Sequence, residues 1–261
     1  MTMPEAASGK SSGDHGGVRS VQRAVEILAL LSEDRPVVTV GEIVKETGLA
    51  KTTVVRMLAT LGKNGLVWTT SAGVTAGPGL WRWAYLARRS WELPAEIRHL
   101  MRETGQKTRE TINLYVTRDL QRVCIAQQQG TQTLRHVVQV GDQLPLWAGA
   151  SSKVLLSDAP TSTLERVAAM SPQGAERLPD LREAVGRARE DGFAVSHGER
   201  EIGVSAVAVP VIAPSGRVGA ALSLSGPTAR FTDERVAVFV DELISASAQM
   251  TARGFTHPFE A

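Results

Sequence analysis

The chain has 261 residues, 43% hydrophobic and 21% charged, which suits one large globular domain or a small domain joined to a larger one and excludes a wholly disordered polymer. A net charge of +2 excludes a strongly basic nucleic-acid coat, although residues 18–98 hold eleven Lys/Arg against seven Asp/Glu while residues 99–261 hold seventeen against eighteen. Cys124 as the single cysteine excludes an internal disulfide and a multi-cysteine zinc site, and no apolar run reaches the roughly 18 residues of a membrane span. MTMPEAASGKSSGDHGG has no apolar signal core, so residues 1–17 read as a disordered tail and a cytoplasmic protein is expected.

From Val18 a first helix is expected, with Val21, Ala24, Val25, Leu28 and Leu31 as its apolar stripe and Ser20 as its cap. Thr39 to Glu42 has the spacing of a capping box, opening a short helix with Ile43 and Val44 inward and Gly48 as its stop. GLAKTTVVRMLATLGKNG then gives a third helix, ended by Asn64-Gly65, whose apolar stripe is Val54, Met57, Leu58 and Leu61. Two short helices joined by a tight Gly-containing turn form a helix-turn-helix. LVWTTSAGVTAGPG is consistent with a hairpin, a wing after that helix, and GLWRWAYLARRSW resumes helical spacing through Leu80, Trp83, Ala84 and Ala87. Pro94 introduces a further helix.

Beyond residue 110 the pattern mixes strands and helices. TINLYVTRD, QRVCIAQQQ and LRHVVQVGD read as strands, and LPLWAGASSKVLLS as a loop entering a helix. Residues 161–170 and 179–191 are expected helical, GFAVSHG and GVSAVAVPVIAP as strands, and SGRVGAALSLSG as a hairpin partner of the latter. An amphipathic helix over Asp233 to Arg253, with Val236, Phe239, Val240, Leu243 and Ile244 inward, closes an antiparallel α+β domain.

A charged helix face is ordinarily just solvated, but residues 50–64 contain Lys51, Arg56 and Lys63 and no carboxylate, which suits a polyanion. Lys51, Thr52 and Thr53 place hydroxyls and free amides where a phosphate can be held, and Val55 offers methyls suited to thymine. Lys63 lies about two turns beyond Arg56, placing it near phosphate or solvent.

The ordered words SVQRAVEILALL, TVGEIVKETGLAKTTVVRMLATLGKNGLV, PLWAGASSKVLL, GFAVSHGEREIGVSAVAVPV and GRVGAALSLSGPTARFT across residues 18–231 resemble the IclR family of bacterial transcriptional regulators. The resemblance implies a winged helix-turn-helix over 18–78, a linker helix over 79–92, a GAF-like effector-binding domain over 93–254 and a tail over 255–261. By the family pattern Lys51, Thr52, Thr53 and Arg56 enter the major groove of a double-stranded operator, with Arg19, Ser20 and Arg23 near the backbone; Ala50 stands where the family often has a capping serine. The family's pocket positions fall on Ala150, Ser151, Ser196, Val204, Ala206, Ser223 and Ser225. Trp147 stands where many members have histidine and is expected to line the pocket. Ser223 and Ser225 share a strand face, as a pocket floor or as a tolerated exposed face. Ser196 stands where some members have an acidic residue, so the resemblance does not carry over the short keto acid bound elsewhere in the family.

His197 and Glu199 lack an accompanying nucleophile or metal triad, so a structural or ligand-orienting role is expected for them. ASSK lacks the serine of Ser-x-x-Lys because residue 150 is alanine, and GVSAV lacks the second glycine of a nucleophile elbow. With no zinc-spaced histidine pair, phosphate-binding loop or dinucleotide fingerprint, no enzyme, catalytic residue, metal or cofactor is expected. The expected function is a ligand-responsive repressor acting as a homodimer or dimer of dimers, with a small carboxylic or aromatic acid as effector and Trp81, Trp83 and Trp91 on the dimer surface. The alternative is a GAF-like sensor whose N-terminal helices bind protein instead of DNA.

Overall fold

The computed structural model describes residues 18–32 and 34–257, so the expected N-terminal tail lies outside the described residues. The chain divides into two units, one ending at Ser90 and one starting at Trp91. The first contains α1 (Arg19–Ala29), β1 (Val37–Val38), α2 (Val40–Thr47), α3 (Lys51–Lys63), β2 (Val67–Thr69), β3 (Val74–Ala76) and the body of α4 (Leu80–Trp91). The capping box forms as read: Glu42 N donates to Thr39 Oγ1 at 3.3 Å, and Thr39 N donates to Glu42 Oε2 at 2.6 Å. Gly48 ends α2 in the left-handed region, leaving a turn of three residues before α3.

Ile27, Ile43, Val54, Leu58, Leu61, Val67 and Val74 are buried together and fix α1, α2 and α3 against the hairpin β2–β3. β1, too short to be legible in the sequence, adds a third strand in the order β1-β3-β2. Gly73 lets it approach, because a Cβ there would meet the Val38 carbonyl oxygen at 2.7 Å.

Two expectations for α1 are corrected. Ser20 does not cap it: the helix follows Val18 and has no side-chain cap. Val21 and Val25 are exposed, because the face turned to the core is Ala24, Ile27, Leu28 and Leu31, again at i, i+3, i+4 and i+7. The apolar stripe of α1 is therefore broader than the part its neighbours cover.

The second unit is a six-stranded antiparallel sheet in the order β6-β5-β4-β9-β8-β7, formed by β4 (Thr111–Arg118), β5 (Gln121–Gln128), β6 (Gln143–Pro145), β7 (Ala194–His197), β8 (Val204–Ile212) and β9 (Val218–Pro227). Strand alternation sorts its side chains onto two covered faces. Ile112, Leu114, Val207, Val209, Leu222 and Leu224 pack with residues of α5 (Ala95–Thr108) and α9 (Asp233–Ala252). Tyr115, Ala208 and Ala221 pack with residues of α6 (Ala150–Leu155), α7 (Thr161–Ala169) and α8 (Leu178–Asp191).

Three details differ from the sequence reading. Residues 134–142 form no strand: Val138 is buried while Leu134, Val137 and Val140 are exposed, and the ladder starts only at Gln143. Their alternation of apolar and polar residues belongs to a loop pinned by Gln127, which donates to the Val138 carbonyl. Ile244 is exposed because the inward face of α9 runs through Phe239, Leu243, Ala246 and Met250. Phe255, assigned to a tail, is buried in the core, and residues 258–261 lie outside the described residues.

Candidate functional site

On α3 the packed stripe of Val54, Leu58 and Leu61 turns Lys51, Thr52, Val55, Arg56 and Lys63 to solvent. Val55 remains 49% exposed. Thr53 is half-buried, so it sits at the edge of this face. No hydrogen bond or ion pair engages the side chains of Lys51, Arg56 or Lys63 among the described residues, whereas Arg35 of the same unit pairs with Glu42 and Glu46. Ala50 precedes α3 with no side-chain cap, which leaves the first amides available to an anion. Arg19, Ser20 and Arg23 are exposed along α1.

In the second unit an inner cavity of about 40 Å³ opens between the sheet and the start of α6, lined by Tyr115, Arg122, Ser151, Ser196, Ser223 and Ser225 among others. Ala150, Val204 and Ala206 complete the sequence-read set on its wall, and β8 and β9 bring them together because Ala206 pairs with Ser225 and Ser196. Ser223 and Ser225 are therefore buried floor residues, not an exposed strand face. Trp147 is not on this wall; it packs, partly buried, against the core beneath α6, a correction to its expected place. In a six-residue helix entered through Gly149 (φ 95), Ala150 and Ser151 face the cavity in its stead.

Polar groups seal the wall. Ala150 N donates to Ser196 Oγ at 3.1 Å, Gly149 N donates to Glu199 Oε2 at 2.9 Å, and Lys153 Nζ donates to Glu199 Oε1. Arg200 Nη2 reaches His136 Nε2 at 2.7 Å, and His136 Nδ1 reaches Ser225 Oγ at 3.1 Å. Arginine only donates, so Nε2 accepts and Nδ1–H points at the serine oxygen. His136 consequently cannot take a proton from Ser225, so this histidine–serine pair is not set for nucleophilic chemistry. Burial, with Arg200 next, pushes the His136 pKa down, in keeping with the neutral ring. Burial also pushes the Cys124 thiol up to about 12, leaving it inert. Among the described residues no group of three or more His, Cys, Asp or Glu is placed to hold a metal ion.

Two family models match the chain: the IclR helix-turn-helix domain over residues 20–70 and the bacterial transcriptional regulator IclR C-terminal domain over residues 86–252. The chain belongs to the IclR family of DNA-binding transcriptional regulators. It is 29% identical over 255 residues to the regulator BhcR of Paracoccus denitrificans, covering 94% of this chain and 90% of that one. An IclR-family regulator from Rhodococcus has a similar structure, with 40% identity, a TM-score of 0.63 and coverage of 96% and 98% of the two chains. An IclR homologue of Microbacterium hydrocarbonoxydans, solved in complex with 4-hydroxybenzoate, matches with a TM-score of 0.68 at 22% identity and coverage of 89% and 99%.

The IclR relatives are transcriptional regulators, not enzymes. Against that family frame, the wall residues the sequence did not disclose include Tyr115, Arg122, His136, Arg200, Glu201 and Ser205. Arg122 could have drawn notice as a charge inside the strand run RVCIA, which otherwise reads as interior. His136 and Arg200 lie on loops, where no periodicity announces a direction. Glu199, read as structural or ligand-orienting, holds the start of α6, while His197 bonds Ser205.

Proposed function

We propose that this regulator binds a double-stranded operator through α3 and senses a small organic acid in the inner cavity of its second unit. The observation that carries the DNA half is the exposed, carboxylate-free face of α3 with Lys51, Arg56 and Lys63 unpaired among the described residues. Thr52, Val55 and Arg56 are assigned to base edges, Lys51, Thr53 and Lys63 to the phosphates beside them, and Arg19, Ser20 and Arg23 to the backbone further along.

One such helix reads only a few base pairs, so the active species is taken to be a homodimer or a dimer of dimers. The face of α4 supports this reading: it buries no residue, and Trp81, Trp83 and Tyr85 are all exposed, Trp81 at 81%. Trp91 packs instead against the second unit's core and is withdrawn from that surface. The effector half rests on the small polar cavity and on the 4-hydroxybenzoate held by the Microbacterium homologue. Among the described residues no helix is long and apolar enough to cross a membrane, and a cytoplasmic location is proposed with the operator.

The test is a gel shift on the DNA upstream of the gene at rising salt, with and without small aromatic and aliphatic acids. Specific retardation that falls steeply with salt and changes with an acid is expected. Absence of any shift would instead favour N-terminal helices that dock on protein.

A further inference from the structure

The cavity holds a charge that the fold does not answer. Arg122 on β5 lines it and is only 4% exposed. Its Nη1 donates to the Ala148 carbonyl at 2.6 Å and to Ser152 Oγ, using both Nη1 hydrogens. Nε is buried without a partner, and no hydrogen bond runs from Nη2 among the described residues. The Nε/Nη2 edge is the side-on fork that grips a carboxylate through two parallel N–H···O bonds.

The acids on the cavity wall do not fill that fork. Glu199 is committed to Lys153 and Gly149 N, and Glu201 pairs with Arg200. The Tyr115 ring, 5.4 Å from the guanidinium carbon, gives only a cation–π contact. If Arg122 merely stapled the turn before α6, a neutral donor such as glutamine would serve without the cost of burying a charge. A buried cation with one edge fastened and the other without a partner suits an anion that arrives from outside.

The space around it sets the shape of that anion. An inner cavity of about 40 Å³ holds little more than a carboxylate head. Beyond His136, Leu144, Arg200 and Val204 lies an open cleft of about 390 Å³ of mixed lining, with Leu134, Val137 and Ile202 beside Arg135, Asp142 and Glu201.

We propose that Arg122 anchors the effector: a small carboxylate whose head forks onto Nε and Nη2 and whose body extends past His136 into the outer cleft. This rests on the reading of the cavity as an effector site. Its test uses the full chain with benzoate and phenylacetate against benzamide and phenylacetamide, by thermal shift and titration calorimetry. At least one carboxylate should raise Tm by several degrees at saturation while its amide does not. Arg122→Gln should abolish that rise with the unliganded Tm unchanged or higher, and Arg122→Lys, which keeps the charge but not the fork, should bind at least roughly tenfold more weakly.

Equal stabilisation by acid and amide, no stabilisation by either acid, or unchanged binding in Arg122→Gln overturns the anchor. Should that variant fail to fold, the acid–amide comparison on the unaltered chain and the lysine variant still decide. A carboxylate that binds through Arg122 yet leaves operator affinity unchanged retains the anchor and removes the regulatory reading. An acid that changes operator affinity equally in the wild type and in Arg122→Gln does the reverse.

Discussion

Replacing Arg56 by alanine separates recognition from folding. The side chain is exposed and makes no hydrogen bond or ion pair among the described residues, so its loss should move unfolding free energy by no more than about 0.5 kcal/mol. A bidentate arginine contact to a base contributes about 1–3 kcal/mol of discrimination, and a dimer makes the contact twice, giving about 2–6 kcal/mol in all. At about 1.4 kcal/mol per factor of ten, specific affinity should fall by roughly thirtyfold to more than ten-thousandfold. Fluorescence anisotropy with labelled upstream DNA, run against unlabelled random DNA, reads the loss, while circular dichroism melts check the fold. Lys63→Ala should behave differently, weakening random and specific DNA alike and lowering the salt slope by about one per half-site. If Arg56→Ala keeps the specific-to-random ratio, Arg56 does not read bases and the groove assignment of α3 is wrong.

Other consequences of the structure are open to direct measurement. Gly226→Ala would place a Cβ 2.4 Å from Glu110 Oε2, whose carboxylate is fully buried and paired with Arg230 through bonds of 2.5 and 2.6 Å. Disrupting such a buried pair costs about 3–5 kcal/mol, readable as a lower urea midpoint for the second unit; an unchanged midpoint refutes the clash. Thr39→Ala should cost the first unit about 1 kcal/mol by removing the cap of α2. The Thr39 amide, with the Thr39 hydroxyl next, holds the Glu42 pKa down to about 2, so that contribution is present above the ordinary carboxylate range and is lost as pH falls toward 2. Glu42→Gln should blunt this acid sensitivity in a pH series of melts. His136 is held neutral with a lowered pKa, so its contribution is complete above the unfolded value of about 6.5 and is lost as pH falls through the lower folded value. His136→Asn should flatten the second unit's Tm between about pH 7 and pH 5, whereas an unchanged slope would place the sensitivity elsewhere.

The features legible in the sequence are those written in short-range patterns. The Thr39 to Glu42 box, the stop at Gly48 and the stripe of α3 each need only a few consecutive residues, and each forms as read. The paired hydroxyls of Ser223 and Ser225 follow from the two-residue period of a strand. Patterns failed where tertiary packing chose among equivalent faces. Val21 and Val25 on α1 and Ile244 on α9 fit their periodicities yet remain exposed, because no neighbour among the described residues covers that side. Residues 134–142 are rich in β-formers, but they meet β5 only through the Gly141 and Asp142 bonds to Cys124 and the Gln127 side chain, and regular pairing begins at Gln143. Arg122 stood out only as a charge in an apolar strand, because its role depends on groups 26 and 30 positions away, Ala148 and Ser152.

The inner cavity of about 40 Å³ takes the head of an organic acid alone, so seating more of the molecule there requires the cavity wall to move. Strands β4, β8 and β9 are pinned between two cores and yield only at the cost of packing. Residues 198–203 between β7 and β8 are different: Ile202 is 97% exposed, and the segment is fastened by polar contacts of Glu199 and Arg200. If the closed form dominates without effector, its opening cost is subtracted from affinity. Glu199→Gln weakens the fastening to Lys153, and a latch contributing about 1–2 kcal/mol predicts benzoate binding tighter by roughly five- to thirtyfold in calorimetry. Removing a negative charge near Arg122 acts in the same direction, so Lys153→Met is the discriminating control, since it opens the latch while keeping the carboxylate. Tighter binding in both variants assigns the gain to the latch, and in Glu199→Gln alone to charge. Unchanged affinity in both would mean that the acid enters without displacing this segment, and the closed wall would have to open along α6.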